Sequence, residues 1–536
     1  MTRRFSFSLM EWIKTLVIFA EIVLMLVLML LLMIGQNGTR EEALPLSDRM
    51  VVYSTGFQPM LSQGMDTARV SPYMLAYRRD GGDAQILHAV DSLEKPYAVL
   101  YPLLRSLFGA NAVGYALDGT VGADLFAACA ERSDYIYVRY VGALPSSVIR
   151  AYTYSEEESG TASYDEHAGG DTAYVREVFF LPVEALRTYE ASVPALQDQG
   201  DDAVCALTRD DAGSITLFCG TAVAAAQEPA PAAETEVPDA AVFSDAASAV
   251  SAASAEMTVG GLDDDLDSLA ALAADAHAGM LTFCGAYGMT ASLSGVYRMP
   301  DITLTPFDPA ASLYTDAQKT ASVFGLLGMR ERDTDNYYTD TAGSRVYLNA
   351  QGRLTVSSKG TSIRYDALQE GGLDLADYLG YASVGGNYLL SEYLRAADRL
   401  LSQLKALEPA LGGDALTVSL IGVHLTTEND ADTLELTYGY TYRGIPLFNE
   451  NGEIRRAMVV RARGGVISHL ELYPCGVSLS EAEAYLLPQT VAVEAMALER
   501  EVQDDADACP CGLYMAYLCG AAGEGDCFAD WIGLWP

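Results

Sequence analysis

Basic residues are scarce: 33 Lys and Arg face 72 Asp and Glu, a net charge of −39 over 536 residues. A field of that sign repels nucleic acid and anionic lipid, which excludes a nucleic-acid partner and favours solubility or cationic partners. A general preference for Asp and Ala would produce the same balance. The five histidines, His88, His167, His277, His424 and His469, are isolated and form no His-Glu-x-x-His or other metal-ligand spacing. They read as surface or packed side chains. The chain also lacks a Gly-x-Ser-x-Gly elbow and a phosphate-cradling glycine loop. No metal and no cofactor are expected.

Two short patterns resemble chemistry without carrying it. Ser92-Leu93-Glu94-Lys95 fits Ser-x-x-Lys, but the companion Ser-Asp-Asn and Lys-Thr-Gly are missing, and Ser358–Ser362 is a faint echo. Asp263, Asp264, Asp265 and Asp267 lack the spaced ligands and glycine of a calcium loop, and suit a helix N-terminus instead.

A long apolar run occurs once. Arg3, Arg4 and Lys14 precede Thr15–Ile34, in which Glu21 is the only charged residue. Twenty helical residues at about 1.5 Å each span roughly 30 Å, the thickness of a hydrocarbon core. No small-x-small cleavage site closes the run, and Glu41 and Glu42 follow it. The positive-inside bias then predicts an uncleaved signal anchor, N-terminus cytoplasmic, with the bulk of the chain extracytoplasmic. Glu21 at that depth costs about 2–3 kcal/mol or more. It either meets a polar partner on another helix or snorkels, or is protonated, near the cytoplasmic interface. In the first case Glu21 shares its contact face with Met25 and Leu28.

Hydrophobic residues make up 50% of the chain, so the exterior folds, and its length suits about two to four domains. "DYIYVRYVG" and "YVREVFFLP" each read as a strand ending at a proline that opens a helix. "CALTRDDAGSITLFCG" reads as a hairpin turning at Asp210–Gly213. The stretch 221–241 is Ala, Pro and Glu without an aromatic residue, a linker or exposed insertion. Tyr337 onward reads as an antiparallel meander, and Tyr388–Leu407 as an amphipathic helix with Leu390, Tyr393, Leu394, Ala397, Leu401, Leu404 and Leu400 on its stripe. In "DTLELTYGYTY" the residues Leu434, Leu436, Tyr438, Tyr440 and Tyr442 share one face, and Glu435, Thr437, Gly439 and Thr441 the other. That row fits the core under the helix, with a ligand platform as the alternative. Hairpins are expected at Asn451-Gly452 and Gly464-Gly465, and further helix from Ser480.

The expected fold is α+β: a transmembrane helix followed by two or three extracytoplasmic α+β domains with antiparallel sheets. Its boundaries are a stub and anchor at 1–40, domains at 41–220, 242–386 and 387–502, the linker at 221–241, and a tail at 503–536. Of nine cysteines, Cys509, Cys511, Cys519 and Cys527 crowd that tail. Their spacing is poor for zinc, and disulfides stapling the tail are favoured, with pairing unreadable.

Four stretches in order carry a family resemblance: "IKTLVIFAEIVLMLVLMLLL", "RSDYIYVRYVGALPSSVI", "YYTDTAGSRVYLNAQGRLTV" and "LTYGYTYRGIPLFNENGEI". Together they resemble the membrane-anchored YycH and YycI regulators of the YycFG (WalRK) two-component system of Gram-positive bacteria. The resemblance spans roughly residues 10–480 and is closer to YycH in size; the Ala/Pro linker and the cysteine tail have no counterpart. It implies a non-enzymatic regulator that contacts a sensor histidine kinase through its membrane helix and exterior, with a YycI-like paralogue as a further partner. An envelope-anchored binding or adhesion module, and a cell-wall-acting enzyme, are the alternatives.

Overall fold

The computed structural model describes residues 51–53 and most of 70–534; the longer stretches outside it are 1–50, 54–69, 154–172, 220–261 and 493–511. The chain divides into Met1–Met50 and Val51–Pro536, and only the second carries described residues. Glu21, Met25 and Leu28, the whole of Thr15–Ile34, the 221–241 stretch, Ser92, Cys509 and Cys511 therefore lie outside the described residues. Among the described residues no helix is long and apolar enough to cross a membrane. The described part is α+β and dominated by antiparallel sheet.

A short strand, β1 (Val51–Tyr53), comes first. A nine-stranded antiparallel sheet follows from β2 (Pro72–Arg78), β3 (Ala84–His88), β4 (Gly114–Ala116), β5 (Tyr135–Pro145), β6 (Tyr174–Pro182), β7 (Val204–Arg209), β8 (Ile215–Cys219), β9 (His277–Phe283) and β10 (Met289–Leu293). Its order is β10-β9-β3-β2-β5-β6-β7-β8-β4. The central strands are buried on both faces, which is why β5 and β6 read as unbroken apolar and aromatic runs. Each ends on a proline, where a missing N–H does no harm, and enters a helix: Ser146–Ala151 after Pro145, and Val183–Leu186 after Pro182. The acidic cluster Asp263, Asp264 and Asp265 forms the first turn of the helix Leu262–Leu272, as expected.

The larger sheet has 15 strands: β1 with β11 (Gly295–Pro306), β12 (Tyr337–Thr339), β13 (Arg345–Leu348), β14 (Gly352–Val356), β15 (Ile363–Ala367), β16 (Leu373–Asp374), β17 (Leu416–Glu428), β18 (Ala431–Tyr442), β19 (Ile445–Asn449), β20 (Arg456–Arg463), β21 (Val466–Leu472), β22 (Cys475–Leu486), β23 (Gly512–Cys519) and β24 (Gly525–Leu534). The main path runs β1-β11-β24-β23-β19-β18-β20-β21-β15-β14-β13-β12, with β16, β17 and β22 beside it. Among the described residues of this sheet, only β1–β11 and β19–β23 pair in parallel. The expected meander is β12 to β15. The Gly464-Gly465 turn joins β20 to β21 with both glycines at positive φ, +56° and +81°, as a two-residue hairpin turn of right twist requires.

The helix expected from Ser480 is a correction. Cys475–Leu486 is β22, paired over most of its length with β11 from Pro306 back to Tyr297. Its Glu and Ala residues favour helix locally, but a long edge of β11 offers backbone partners that outweigh so weak a preference.

The helix Leu390–Leu407 buries Leu394, Ala397, Leu400, Leu401 and Leu404, the predicted stripe. The row Leu434, Leu436, Tyr438, Tyr440 and Tyr442 on β18 is core, none more than 5% exposed. Tyr438 meets the helix through Asp398 (3.2 Å), Tyr440 donates to the Tyr473 carbonyl (2.9 Å), and Tyr442 stands edge-on to Tyr517. The opposite face is solvated only in part. Glu435 is half-exposed and pairs with Arg461, whereas Gly439 and Thr441 are buried, Gly439 beneath Ile421 and Ile454. Asp398 also accepts from Tyr152, which follows the helix Ser146–Ala151, so one carboxylate joins the two sheets' layers.

Candidate functional site: paired thiols and two charged clusters

Of the tail cysteines, Cys519 and Cys527 are described, and they stand directly opposite each other on β23 and β24. Strand β24 alternates: Cys527, Ala529 and Trp531 point inward, Asp526, Phe528 and Asp530 outward. Both thiols are thus buried. A hydrogen bond from Cys519, ahead of burial, sets the order of acidity: Cys519 is pushed up as the donor and Cys527 down as the acceptor. Cys475, at the start of β22, lies beside Tyr440, Arg455 and Cys527, and burial raises its thiol.

A second pair comes from cysteines the sequence shows only as scattered. Cys205 and Cys219 are opposite across the β7–β8 hairpin, with Sγ atoms 2.6 Å apart. Cys205 is the donor and is pushed up by that bond and by burial; Cys219, half-buried, is lowered. Cys129 is a packed thiol in the helix Gly119–Cys129, donating to the Leu125 carbonyl, and burial raises it to about 12. Among the described residues no two sulfurs stand at bond distance.

Inside the nine-stranded sheet Glu177 is fully buried. It accepts from Arg209 (3.1 Å), from the Tyr137 hydroxyl (2.8 Å) and from the Met289 backbone N–H (3.2 Å), and lies 3.7 Å from Arg139. Arg139 in turn donates to the Met289 carbonyl at 3.0 Å. Two cations, one carboxylate and these hydrogen bonds hold β5, β6, β7 and β10 in register. Such a network adds little net stability over an apolar core of the same shape, because desolvation offsets the attraction, but removing one member is costly.

A half-exposed cluster lies on β14, β15 and β21. Asp366 accepts from Arg353 (2.8 Å), Arg364 (3.0 Å) and His469 Nδ1 (2.9 Å), and Glu471 is 3.9 Å from His469 Nε2. Burial pushes the Asp366 carboxyl up, but the three donors outweigh it and hold it at about 2. The Glu471 carboxylate, ahead of Asp366, raises His469 above its ordinary value. The histidine that looks isolated in sequence is therefore clamped between two carboxylates. Asp366 is too distant in sequence to be foreseen; Glu471, two residues along the same strand face, is the signal that was available.

Lys95 is exposed on the helix Glu94–Val99. Among the described residues no group of three or more His, Cys, Asp or Glu side chains is placed to hold a metal.

No family model matches the chain, and no curated protein matches it. Among solved structures, the crystal structure of YycH from Bacillus subtilis aligns with a TM-score of 0.41 and 9% identity, over 87% of this chain and 93% of that one. So loose a likeness fixes no residue's role.

Proposed function

We propose that this chain is a membrane-anchored, non-enzymatic regulator of a sensor histidine kinase in a cell-envelope two-component system. The observation that supports it is the order of four stretches: one apolar segment behind a basic stub, a strand ending in a proline turn, a Tyr-Thr-Asp hairpin, and a Gly-x-Pro loop before a last hairpin. The last three of these stretches correspond to β5, to β12–β14 and to β18–β19. In this reading Thr15–Ile34 crosses the membrane, the N-terminus is cytoplasmic, and the remainder lies outside.

Regulation requires only a coupling free energy. Contacts that favour one kinase conformation by about 1–3 kcal/mol shift its activity about 5–150-fold. Glu21, Met25 and Leu28 supply the membrane contact, a hydrogen bond from Glu21 to a partner helix contributing about 1 kcal/mol. The exterior binds a second, paralogous regulator or a wall component.

The test is cross-linking in native membranes of the full chain beside a version whose Leu16–Ile34 segment is replaced by an unrelated anchor, with partners read by mass spectrometry. A kinase captured only by the native segment supports the proposal. Equal capture of wall or surface components by both versions, without a kinase, would make the segment a tether and the chain an adhesion module.

A further inference from the structure

Two cysteine pairs occupy the position in an antiparallel sheet where side chains meet most closely. In the β7–β8 hairpin, Asp210 N–H donates to the Ser214 carbonyl and Gly213 N–H to the Asp210 carbonyl, closing the turn. Pairing is then unbroken from Arg209–Ile215 to Cys205–Cys219. Hydrogen-bonded and non-hydrogen-bonded pairs alternate along such a ladder, so counting from Asp210–Ser214 makes Cys205–Cys219 a non-hydrogen-bonded pair. Cα atoms there are about 4.5 Å apart, within the range a disulfide spans. The sulfurs already touch at 2.6 Å. Cys519 and Cys527 end an equally unbroken ladder of eight pairs from Gly512–Leu534. Within it Met515 N–H donates to the Tyr73 hydroxyl and not to β24, so Met515–Trp531, and by the same alternation Cys519–Cys527, is a non-hydrogen-bonded pair.

We infer that Cys205–Cys219 and Cys519–Cys527 are two disulfide-forming pairs, and that Cys129 and Cys475 stay as thiols. Chemically, the Cys219 thiolate attacks a sulfur of a donor disulfide, on a thiol–disulfide oxidoreductase or a small disulfide such as oxidised glutathione. One donor thiolate leaves, and a mixed disulfide forms. The Cys205 thiol then loses its proton to solvent and attacks the Cys219 sulfur, expelling the second donor thiolate. Two protein thiols are oxidised to one disulfide, and one donor disulfide is reduced to two thiols. The same balance holds for Cys527 and Cys519.

The two pairs differ in access. Cys219 is half-buried, so its bridge exchanges in the folded protein. Cys519 and Cys527 are 1% and 0% exposed, so theirs closes before β23 and β24 dock and is afterwards shielded. The first responds to the redox poise of its surroundings; the second ties β23 to β24, the strands that pair with β19 and β11.

The experiment uses the full chain in detergent, unfolded in urea and refolded with excess oxidised glutathione, then alkylated in urea and digested without reduction. Trypsin cuts at Arg209 between the first pair, and a Glu-specific protease at Glu524 between the second. The expected result is two linked peptides, Cys205 with Cys219 and Cys519 with Cys527, with Cys129 and Cys475 alkylated. Dithiothreitol should open the first bridge in the folded chain and the second only after urea. Alkylation of all four cysteines in chain of unchanged circular dichroism, or a bridge to Cys475, would overturn the assignment. Bridges that form in the redox buffer but are absent from chain taken from cells with thiols blocked at lysis still support the pairs, and count against the extracytoplasmic placement instead.

Discussion

Gly142 on β5 lies against the carbonyl oxygen of Ile421 on β17, so close that a β-carbon at this position would overlap it. The contact joins the nine-stranded sheet to the larger one, and space rather than backbone conformation is what demands glycine there. Gly142→Ala is expected to destabilise by about 1–3 kcal/mol, since backbone on both sides must shift. Gly119→Ala, where nothing stands within 4 Å, is the control and should be neutral within about 0.5 kcal/mol. Thermal unfolding of both variants checks this; equal melting temperatures would mean the two sheets part without cost.

Tyr440 tests the core reading of the β18 row. Tyr440→Ala should cost about 3 kcal/mol or more through the cavity left behind. Tyr440→Phe should cost about 1 kcal/mol, for the lost hydrogen bond to the Tyr473 carbonyl. Urea unfolding midpoints at unchanged slope give both values. Little loss of stability together with loss of a partner contact would favour the ligand-platform alternative.

At the buried network, Glu177→Gln leaves Arg139 and Arg209 without their carboxylate in a place water does not reach. A loss of about 3–5 kcal/mol is expected. Pairing it with Arg209→Met should cost less than the two single losses added together, because the second change removes one of the cations the first exposes. Additive losses in a double-mutant cycle would mean that the two groups do not interact.

The Asp366–His469–Glu471 cluster sets a pH dependence with opposite signs at its two ends. His469 is raised, so its stabilisation is complete below its unfolded value of about 6.5 and fades as pH rises through the raised one. Asp366 is lowered to about 2, so its stabilisation is present above its ordinary value and fades as pH falls towards about 2. The melting-temperature gap between the native chain and His469→Gln should therefore be wider at about pH 5.5 than at about pH 9. A gap that does not change with pH would show that the imidazole is not charged in the fold.

Periodicity made the local elements legible. The β18 row, the β12–β15 meander, the two strand-proline-helix corners and the stripe of Leu390–Leu407 all follow from side-chain spacing and turn residues that act over a few positions. What spacing does not carry is which edges join. β22 turned from expected helix to strand because β11, remote in sequence, lies beside it. Asp366 meets His469 for the same reason. The Cys205–Cys219 pair is an instructive miss: the hairpin turn at Asp210–Gly213 was readable, and four steps back along each strand from Arg209 and Ile215 reach the two cysteines. For Glu21, Met25 and Leu28 the sequence is the whole of what is in hand, since they lie outside the described residues.

Under the proposed function, this chain changes the activity of a kinase through its apolar Thr15–Ile34 segment. The most direct measurement is autophosphorylation of the cross-linked kinase, co-reconstituted in proteoliposomes with the native full chain, with Glu21→Leu, or with the foreign-anchor version. A change of about 5–150-fold is expected with the native chain, reduced by Glu21→Leu and lost with the foreign anchor. An identical rate with all three and with empty vesicles would contradict it.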